Sequence, residues 1–287
     1  MTAPSAPSTL RSVAAAAARL DAAGVASPRF DAEELAAHVL SVRRGDLALD
    51  PPMTVAAAAA YDALVVRREA RVPLQHLVGS TGFRRLSLLV GPGVFVPRPE
   101  TESVVEWALA ALAGVVGPVV VDLCSGSGTI ALALADELAP GGQVHAVERD
   151  PDAFAWLQRN IAHTGLAVTP HLGDAGEALP GLDATLDLVA SNPPYVAEHE
   201  RSSVDPEVVD HDPEIALFAG ADGLDVVRIV ERAAWRLLKP GGRLVVEHSD
   251  RQGSTAPALL AERGWLDVAD HRDLVGRDRF VTGRRPA

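Results

Sequence analysis

The sequence predicts an α/β fold with a mostly parallel sheet, preceded by a small helical bundle. From about residue 118, apolar runs of strand length alternate with helical segments, which is the pattern of strands joined by crossover helices. Before residue 73 the chain is rich in alanine, and its apolar residues recur at helical spacing. We therefore expect a helical domain over 1–73, a hairpin linker over 74–100 and an α/β domain over 101–287.

Composition excludes several classes of protein. The chain has 287 residues, a net charge of −12 and one cysteine, Cys124, so we expect a reducing, cytoplasmic environment without disulfides. No stretch approaches the roughly 20 apolar residues of a membrane span, and residues 1–7 resemble a frayed tail rather than a secretion signal. The spacing of His, Cys and carboxylates predicts no bound metal. The acidic balance disfavours stable nucleic-acid binding.

Three helices are predicted in the first domain. Ser8 or Thr9 caps the first helix, and Asp31 is expected to cap the second. The third helix is predicted over Met53–Arg71, where it ends before a proline. Its arginines, among them Arg68, are interpreted as a solvated face, and a patch that contacts an acidic or RNA-bound partner is the alternative. Because a bundle appended to an enzyme often selects the substrate, we expect a recognition role for this domain.

The segment 74–100 changes pattern twice. Apolar positions at Leu77–Gly79, Phe83 and Leu86–Val90 predict a short hairpin. Two prolines then hold Val96–Glu102 extended, and a helix is expected to begin near Thr101.

The α/β domain is predicted to contain seven strands and four principal helices. The last two strands are close in sequence and are expected to be antiparallel. The predicted strands are 118–123, 143–148, 167–172, 185–191, 243–248, 266–271 and 279–283. The predicted helices are 128–138, 151–163, 223–238 and 255–263.

A nucleoside cofactor is indicated by a small-residue loop after the first of these strands. In open α/β sheets, ligands bind beyond the carboxyl ends of the strands. The loop residues predicted to bind the cofactor are Asp122, Cys124, Ser125, Gly126, Ser127 and Gly128. Glu148 ends the next strand, where an acid can accept hydrogen bonds from both ribose hydroxyls. NAD and S-adenosylmethionine both suit the arrangement. The carboxylate of Asp122, at the end of the first strand, favours the cationic methionine group of S-adenosylmethionine over the pyrophosphate of NAD.

Two further residues near this loop carry weaker signals. Asp174 follows the third strand and either contacts the adenine amino group or belongs to a turn. Cys124 is interpreted as a small packing residue rather than a nucleophile.

The turn Asn192-Pro193-Pro194-Tyr195 points to methyl transfer onto a planar amide or amine nitrogen. The Asn192 side-chain oxygen and the Pro193 carbonyl can each accept one N–H, which fixes the nitrogen and directs its lone pair to a methyl group. Pro194 stiffens the turn, and Tyr195 offers a planar face for stacking. A simple strand-ending turn is the alternative. We expect these residues to bind the substrate, with Asn192 also near the cofactor.

Several motifs together resemble the protein-(glutamine-N5) methyltransferase family, in particular its bacterial members that act on peptide chain release factors. The most specific pair of motifs is the turn Asn192–Tyr195 and the extended segment Val96–Glu102, which contains Pro97-Arg98-Pro99 and is called the Pro-Arg-Pro arm. The segments that carry the resemblance are Pro73–Gly79, Val96–Glu102, Asp122–Gly128, Ala146–Ala153, Asn192–Tyr195, Asp212–Glu214, Ala219–Leu224 and Leu238–Gly242.

The resemblance implies a class I, Rossmann-like, S-adenosylmethionine-dependent methyltransferase domain with a seven-stranded sheet. It implies methylation of the glutamine in the Gly-Gly-Gln motif of release factors, with S-adenosylhomocysteine as the product. Two positions depart from the family pattern. Cys124 replaces the usual glycine, so its φ is expected to be negative, and Ala175 stands where relatives often have an aromatic residue. We expect both to weaken cofactor affinity.

Three alternatives remain open from the sequence. A sister enzyme that methylates a glutamine of a ribosomal protein would share the catalytic domain. An adenine-N6 nucleic-acid methyltransferase uses a similar turn, but the acidic charge disfavours it. A non-enzymatic S-adenosylmethionine sensor would not need an amide-binding turn.

Overall fold

The computed structural model describes residues 8–287, and residues 1–7, expected to form a frayed tail, lie outside that range. The chain divides into two compact units. The first runs to Ser80 and also takes in Asp205–His211, while the second comprises Thr81–Val204 and Asp212–Ala287. The predicted domain limits at residues 73 and 100 stay a prediction.

The first unit is helical, as predicted. Ser8 caps its first helix by accepting a hydrogen bond from the backbone of Arg11. The prediction that Asp31 caps the second helix is wrong, because Pro28 starts this helix three residues earlier and Ser27 is its N-cap. The helices of this unit are α1 (Thr9–Ala22), α2 (Pro28–Leu40), α3 (Val55–Glu69), α4 (Leu74–Val78) and, from the later segment, α8 (Pro206–His211).

A buried ion-pair network lies inside this unit. Arg68 is only 5% exposed and contacts Asp31 at 2.7 Å and Glu207 at 2.8 Å. Arg71 also contacts Glu207, at 3.4 Å. The interpretation of Arg68 as part of a solvated face is therefore wrong. Its partners lie 37 and 139 residues away in sequence, so local charge patterning did not reveal them.

The hairpin predicted between the domains is present, although Leu77 and Val78 end helix α4 instead of starting a strand. Its strands are β1 (Ser80–Phe83) and β2 (Leu86–Leu89). Asn160 holds β2 through both backbone groups of Leu89, at 2.7 and 3.0 Å. The helix predicted near Thr101 is α5 (Glu102–Ala111).

The second unit is built on a seven-stranded sheet, which confirms the predicted α/β architecture. The strands are β3 (Val119–Leu123), β4 (Gln143–Glu148), β5 (Val168–Leu172), β6 (Leu186–Ser191), β7 (Leu238–Glu247), β8 (Leu266–Arg272) and β9 (Asp278–Arg284). Their order in the sheet is β5-β4-β3-β6-β7-β9-β8. The strands through β7 are parallel. The last two strands, β8 and β9, are antiparallel, as predicted, and β9 is also antiparallel to β7.

Helices cover both faces of the sheet. The helices of this unit besides α5 are α6 (Thr129–Glu137), α7 (Pro151–Thr164), α9 (Asp225–Leu237) and α10 (Thr255–Glu262). Because side chains alternate along a strand, Val120 packs with α5 and α6 on one face, whereas Val121 packs with α9 on the other. Within residues 8–287, every helix is too short or too polar to span a bilayer.

Candidate active site

The strand order places the two predicted motifs side by side. β3 and β6 are adjacent and parallel, and Leu123 pairs with Ser191 in their register. The buried Ser191 hydroxyl donates to the Leu123 carbonyl at 2.6 Å, which ties the two strand ends together. As a result, the cofactor loop that begins at Cys124 and the turn that begins at Asn192 leave the sheet at the same level. The strand order reverses between β3 and β6, and open α/β sheets bind ligands beyond the carboxyl ends of the strands at such a point.

The loop after β3 is a series of tight turns. Ser125 donates its backbone N–H to the Val147 carbonyl at 3.0 Å, and Gly128 donates to the Ser125 carbonyl at 2.8 Å. Gly126 and Gly128 have φ of 53° and 89°, which glycine adopts readily. A Cβ at Gly128 would lie 2.6 Å from Leu157, so this residue also allows α6 to pack closely.

The expectation of a negative φ at Cys124 is wrong, because its φ is +60°. The two flanking anchors, Ser125 on Val147 and Leu123 on Ser191, fix the path of the chain through this residue. A non-glycine residue in this region costs about 1–2 kcal/mol. Burial, with the nearby charges of Glu148 and Asp122, raises the pKa of the Cys124 thiol, which therefore stays protonated and poorly nucleophilic.

Two buried polar atoms in this loop are available to a ligand. Asp122 is 1% exposed; its Oδ2 accepts from the Ala131 backbone at 3.0 Å. Within the described residues, Asp122 Oδ1 and Ser125 Oγ have no hydrogen-bond partner. Burial raises the pKa of Asp122 well above its usual range, and the charge of Glu148 adds to this. A cationic ligand group near Oδ1 would restore the carboxylate, so the donor set fits an amino acid ammonium.

Glu148 lies next to the loop, at the end of β4. Its Oε2 accepts from the Gly126 backbone and its Oε1 from the Asp150 backbone, both at 2.8 Å. Burial raises the pKa of Glu148, and these backbone hydrogen bonds oppose the rise. Each carboxylate oxygen keeps further acceptor capacity, so hydroxyl groups of a nucleoside can still be accommodated.

Asp174 and Ala175 follow β5. Asp174 caps the short turn over Ala175–Glu177 by accepting from the Gly176 backbone at 2.8 Å. It also lies 3.8 Å from Arg149, in an exposed position. Ala175 is buried in the apolar core. The structure therefore brings Asp122–Gly128, Glu148 and Asn192 together, while Asp174 stands beyond the end of the outermost strand.

The turn over Asn192–Tyr195 is anchored by its first residue. The Asn192 side-chain nitrogen donates to the Thr101 hydroxyl at 3.2 Å. Thr101 is 2% exposed and lies at the entry to α5, on the Pro-Arg-Pro arm. Because the nitrogen end of the amide is engaged, the oxygen end of Asn192 is the one left to accept hydrogen bonds.

The last residue of the turn is held at both ends. The Tyr195 hydroxyl donates to Glu247 Oε1 at 3.3 Å, and the Tyr195 carbonyl accepts from the buried Gln252 side chain at 3.1 Å. Gly223 passes so close that a Cβ there would lie 2.3 Å from this carbonyl. Burial and the charge of Glu247 raise the pKa of Tyr195, so it remains a neutral donor.

The arm before α5 is tied to the chain beyond the turn. Arg98 donates to Asp212 at 2.8 Å, and the Asp212 side chain is almost fully buried. The guanidinium of Arg98 also lies over the Phe95 ring, 5.0 Å from its centroid. This ion pair gives a structural reason for the Pro-Arg-Pro arm, which holds Thr101 beneath Asn192.

Sequence reasoning missed several residues that shape this site: Thr101 as a partner of Asn192, and Ser191, Gly223, Glu247 and Gln252. One of them had a readable signal. Glu247 is the last residue of an apolar strand, as Glu148 is, and Asp122 is the last but one of its strand. Separately, residues 8–287 contain no group of three or more His, Cys, Asp or Glu side chains placed to hold a metal ion.

The fold and the site define a methyltransferase. Residues 116–267, more than half of the chain, match the methyltransferase domain family. The fold resembles that of the hMettl16 catalytic domain, solved in complex with MAT2A 3'UTR hairpin 6. The TM-score is 0.56 at 15% identity, with 82% of each chain covered. At this identity the likeness concerns the fold alone.

Two curated relatives identify the family. The release factor glutamine methyltransferase of Streptomyces coelicolor is 56% identical over 96% of this chain and 98% of its own. The protein of the same name from Mycolicibacterium smegmatis is 48% identical over 96% of this chain and 97% of its own. Residues 12–79 match the PrmC N-terminal domain. The chain belongs to the release factor glutamine methyltransferase family.

Proposed function

We propose that this protein transfers a methyl group from S-adenosylmethionine to the side-chain amide nitrogen of the glutamine in the Gly-Gly-Gln motif of peptide chain release factors. The observation that carries the proposal is the hydrogen bond from Asn192 to Thr101 at 3.2 Å. This hydrogen bond leaves the Asn192 oxygen as an acceptor at the carboxyl end of β6, next to the start of the cofactor loop after β3. The names of the family members support the same substrate.

The turn supplies what an amide nitrogen needs in order to react. The lone pair of an amide nitrogen is delocalised into the carbonyl group. The nitrogen must therefore be held in one orientation towards the methyl group in order to react. The Asn192 oxygen and the Pro193 carbonyl accept the two N–H groups and direct the lone pair out of the amide plane. The Tyr195 ring, held through its hydroxyl by Glu247, stacks on the planar amide. After transfer, the methylated nitrogen is positively charged and loses one of its own protons to water.

The cofactor is assigned to the loop beside this turn. S-adenosylmethionine, when bound, supplies an electrophilic methyl group. Asp122, with one buried oxygen free of hydrogen bonds to residues 8–287, would pair with the ammonium of its methionine part. The backbone of Cys124–Gly128 would lie along the ligand, and Glu148 would accept from the ribose hydroxyls. Asp174 would contact the adenine.

We propose that residues 1–73 select the protein partner and that residues 101–287 catalyse methyl transfer. Residues 74–100 connect these two domains. The match of residues 12–79 to a domain family of their own supports a separate task for the helical part. The task can be measured with the intact protein by comparing kcat/KM for a whole release factor with that for a short Gly-Gly-Gln peptide. A much lower value for the peptide is expected, and equal values would contradict the recognition role.

Mass spectrometry tests the reaction itself. The protein is incubated with methyl-labelled S-adenosylmethionine and with release factors or ribosomal proteins, and the labelled peptide is identified. We expect the label on the glutamine of the Gly-Gly-Gln motif. A release factor with that glutamine changed to glutamate is the matched control and should stay unlabelled. Label found only on ribosomal protein would overturn the substrate assignment.

A further inference from the structure

A buried side-chain amide lies behind the Asn192–Tyr195 turn. Gln252 is 6% exposed and belongs to the connection between β7 and α10. Its own backbone is fixed by a tight turn, because its N–H donates to the Ser249 carbonyl at 2.9 Å and its carbonyl accepts from the Ala256 N–H at 3.0 Å. The side chain therefore extends from a rigid point in the fold.

The Gln252 amide joins three separate segments of the chain. Its nitrogen donates to the carbonyls of Tyr195 and Asp222, both at 3.1 Å, and its oxygen accepts from the Ser249 backbone N–H at 3.0 Å. A carbonyl can only accept and a backbone N–H can only donate, so these partners determine which end of the amide is nitrogen. Both donors of the amide are thus used to hold backbone carbonyls.

The far end of the turn depends on this anchor. Pro193 and Pro194 have no N–H to donate, which limits the hydrogen bonds that can hold the turn from within. Gly223 passes so close that an added Cβ would lie 2.3 Å from the Tyr195 carbonyl. Because Gln252 bonds both Tyr195 and the residue before Gly223, it holds these two segments together. The place of the Tyr195 backbone therefore follows from the Gln252 amide.

We propose that Gln252 is a positioning residue for the substrate amide. It acts through the Tyr195 carbonyl, which fixes where the Tyr195 ring stacks on the substrate and how the turn is presented to it. The hydrogen bonds of the Gln252 side chain reach no residue of the cofactor loop. Its loss should therefore lower the rate of methyl transfer and leave cofactor affinity unchanged. This inference rests on the proposed function.

Asn160 provides a matched control, because its amide has the same kinds of partner. It is 0% exposed. Its oxygen accepts from the Leu89 N–H at 2.7 Å, and its nitrogen donates to the carbonyls of Leu89 and Ser127, both at 3.0 Å. Removal of either amide leaves two carbonyls and one N–H without that partner, so both changes cost stability for the same reason. The two amides differ in what they hold, since Ser127 belongs to the cofactor loop.

The test compares Gln252→Ala with Asn160→Ala in methyl transfer at saturating cofactor and in calorimetric binding of S-adenosylhomocysteine. We expect Gln252→Ala to lower kcat at least about tenfold, within the loss of about 10²-fold that a displacement of about 1 Å can cause. Its affinity for S-adenosylhomocysteine should be unchanged, whereas Asn160→Ala should lower that affinity. The proposal is overturned if Gln252→Ala lowers kcat no more than Asn160→Ala does, or loses affinity to the same degree.

A second variant separates the hydrogen bonds of Gln252 from the space that it fills, and it covers the case in which Gln252→Ala does not fold. Gln252→Met has nearly the same length but cannot donate to a carbonyl, so it should lower kcat as Gln252→Ala does. A wild-type kcat for Gln252→Met overturns the proposal, because packing alone would then be sufficient.

Methyl transfer to the release factor by wild type is measured in the same experiment. If wild type leaves the glutamine unmodified, the proposed function fails. If wild type is active and only the pattern of variants is wrong, this inference alone fails.

Discussion

Gly223→Ala is expected to disable the active site from a position that touches no substrate. Gly223 has a φ of 73°, and an added Cβ would lie 2.3 Å from the Tyr195 carbonyl and 2.8 Å from the Gln252 nitrogen. Relief of these contacts requires a shift of about 1 Å of the Tyr195 backbone. Displacement of this size from outside the reacting centre can lower the rate about 10²-fold. The left-handed backbone adds about 1–2 kcal/mol of destabilisation.

Gly264→Ala is the matched control for this change. Gly264 has a φ of 90°, and its added Cβ would meet only a Trp235 ring carbon at 3.9 Å. It should therefore show only the loss of about 1–2 kcal/mol due to the left-handed backbone in urea unfolding, with wild-type methyl transfer. We expect Gly223→Ala to lose turnover in the methyl-transfer assay while still binding S-adenosylhomocysteine in calorimetry. If Gly223→Ala turned over at the rate of Gly264→Ala, the argument from the Tyr195 carbonyl would be refuted.

Three other predictions follow from the site and from the helical unit. Asn192→Ala should lower turnover by about 10²–10³, the scale of one preorganised polar group; a calorimetric titration showing an equal loss of cofactor affinity would contradict its assignment to the amide. Glu247 has a pKa raised from 4.5 to about 7, so the folded state binds its proton more tightly than the unfolded state does. Wild-type stability should therefore fall by about 3 kcal/mol as the pH rises across this window, whereas Glu247→Gln should lack that fall in urea unfolding; an identical fall in both would place its cause elsewhere. Arg68→Met leaves the buried carboxylate of Asp31 without its ion-pair partner and should cost about 3–5 kcal/mol, while Arg67→Met, on an exposed position of the same helix, should change stability by less than about 0.5 kcal/mol. Similar melting temperatures for these two variants would show that the buried ion pairs contribute little.

The sequence predicted the sheet well because its signals are local. Apolar runs that alternate with helical segments predicted all seven strands, and each predicted strand overlaps an observed one. Features set by distant partners were not predictable in this way. The left-handed backbone at Cys124 is imposed by anchors on two neighbouring strands, and Arg68 is buried by a partner 139 residues away.

The candidate site divides in the same manner. The cofactor loop and the Asn192–Tyr195 turn are contiguous, so they could be recognised from their residues alone. Thr101 lies 91 residues from Asn192, and Glu247 lies 52 residues from Tyr195. Their pairing depends on the order of strands in the sheet and on the path of the arm into α5. Neither the strand order nor the path of the arm can be predicted from the spacing of residues in the sequence.

The composition of the helical unit restricts how homologues can be recombined. This unit includes Asp205–His211 as well as the residues up to Ser80, and Arg68 joins the two stretches through Glu207. A chimera made by exchanging only the amino-terminal stretch would remove Arg68 and leave Glu207 opposite a foreign side chain. Engineers who wish to transplant this module must therefore move two separated pieces of gene, and the second lies within the coding region of the methyltransferase domain.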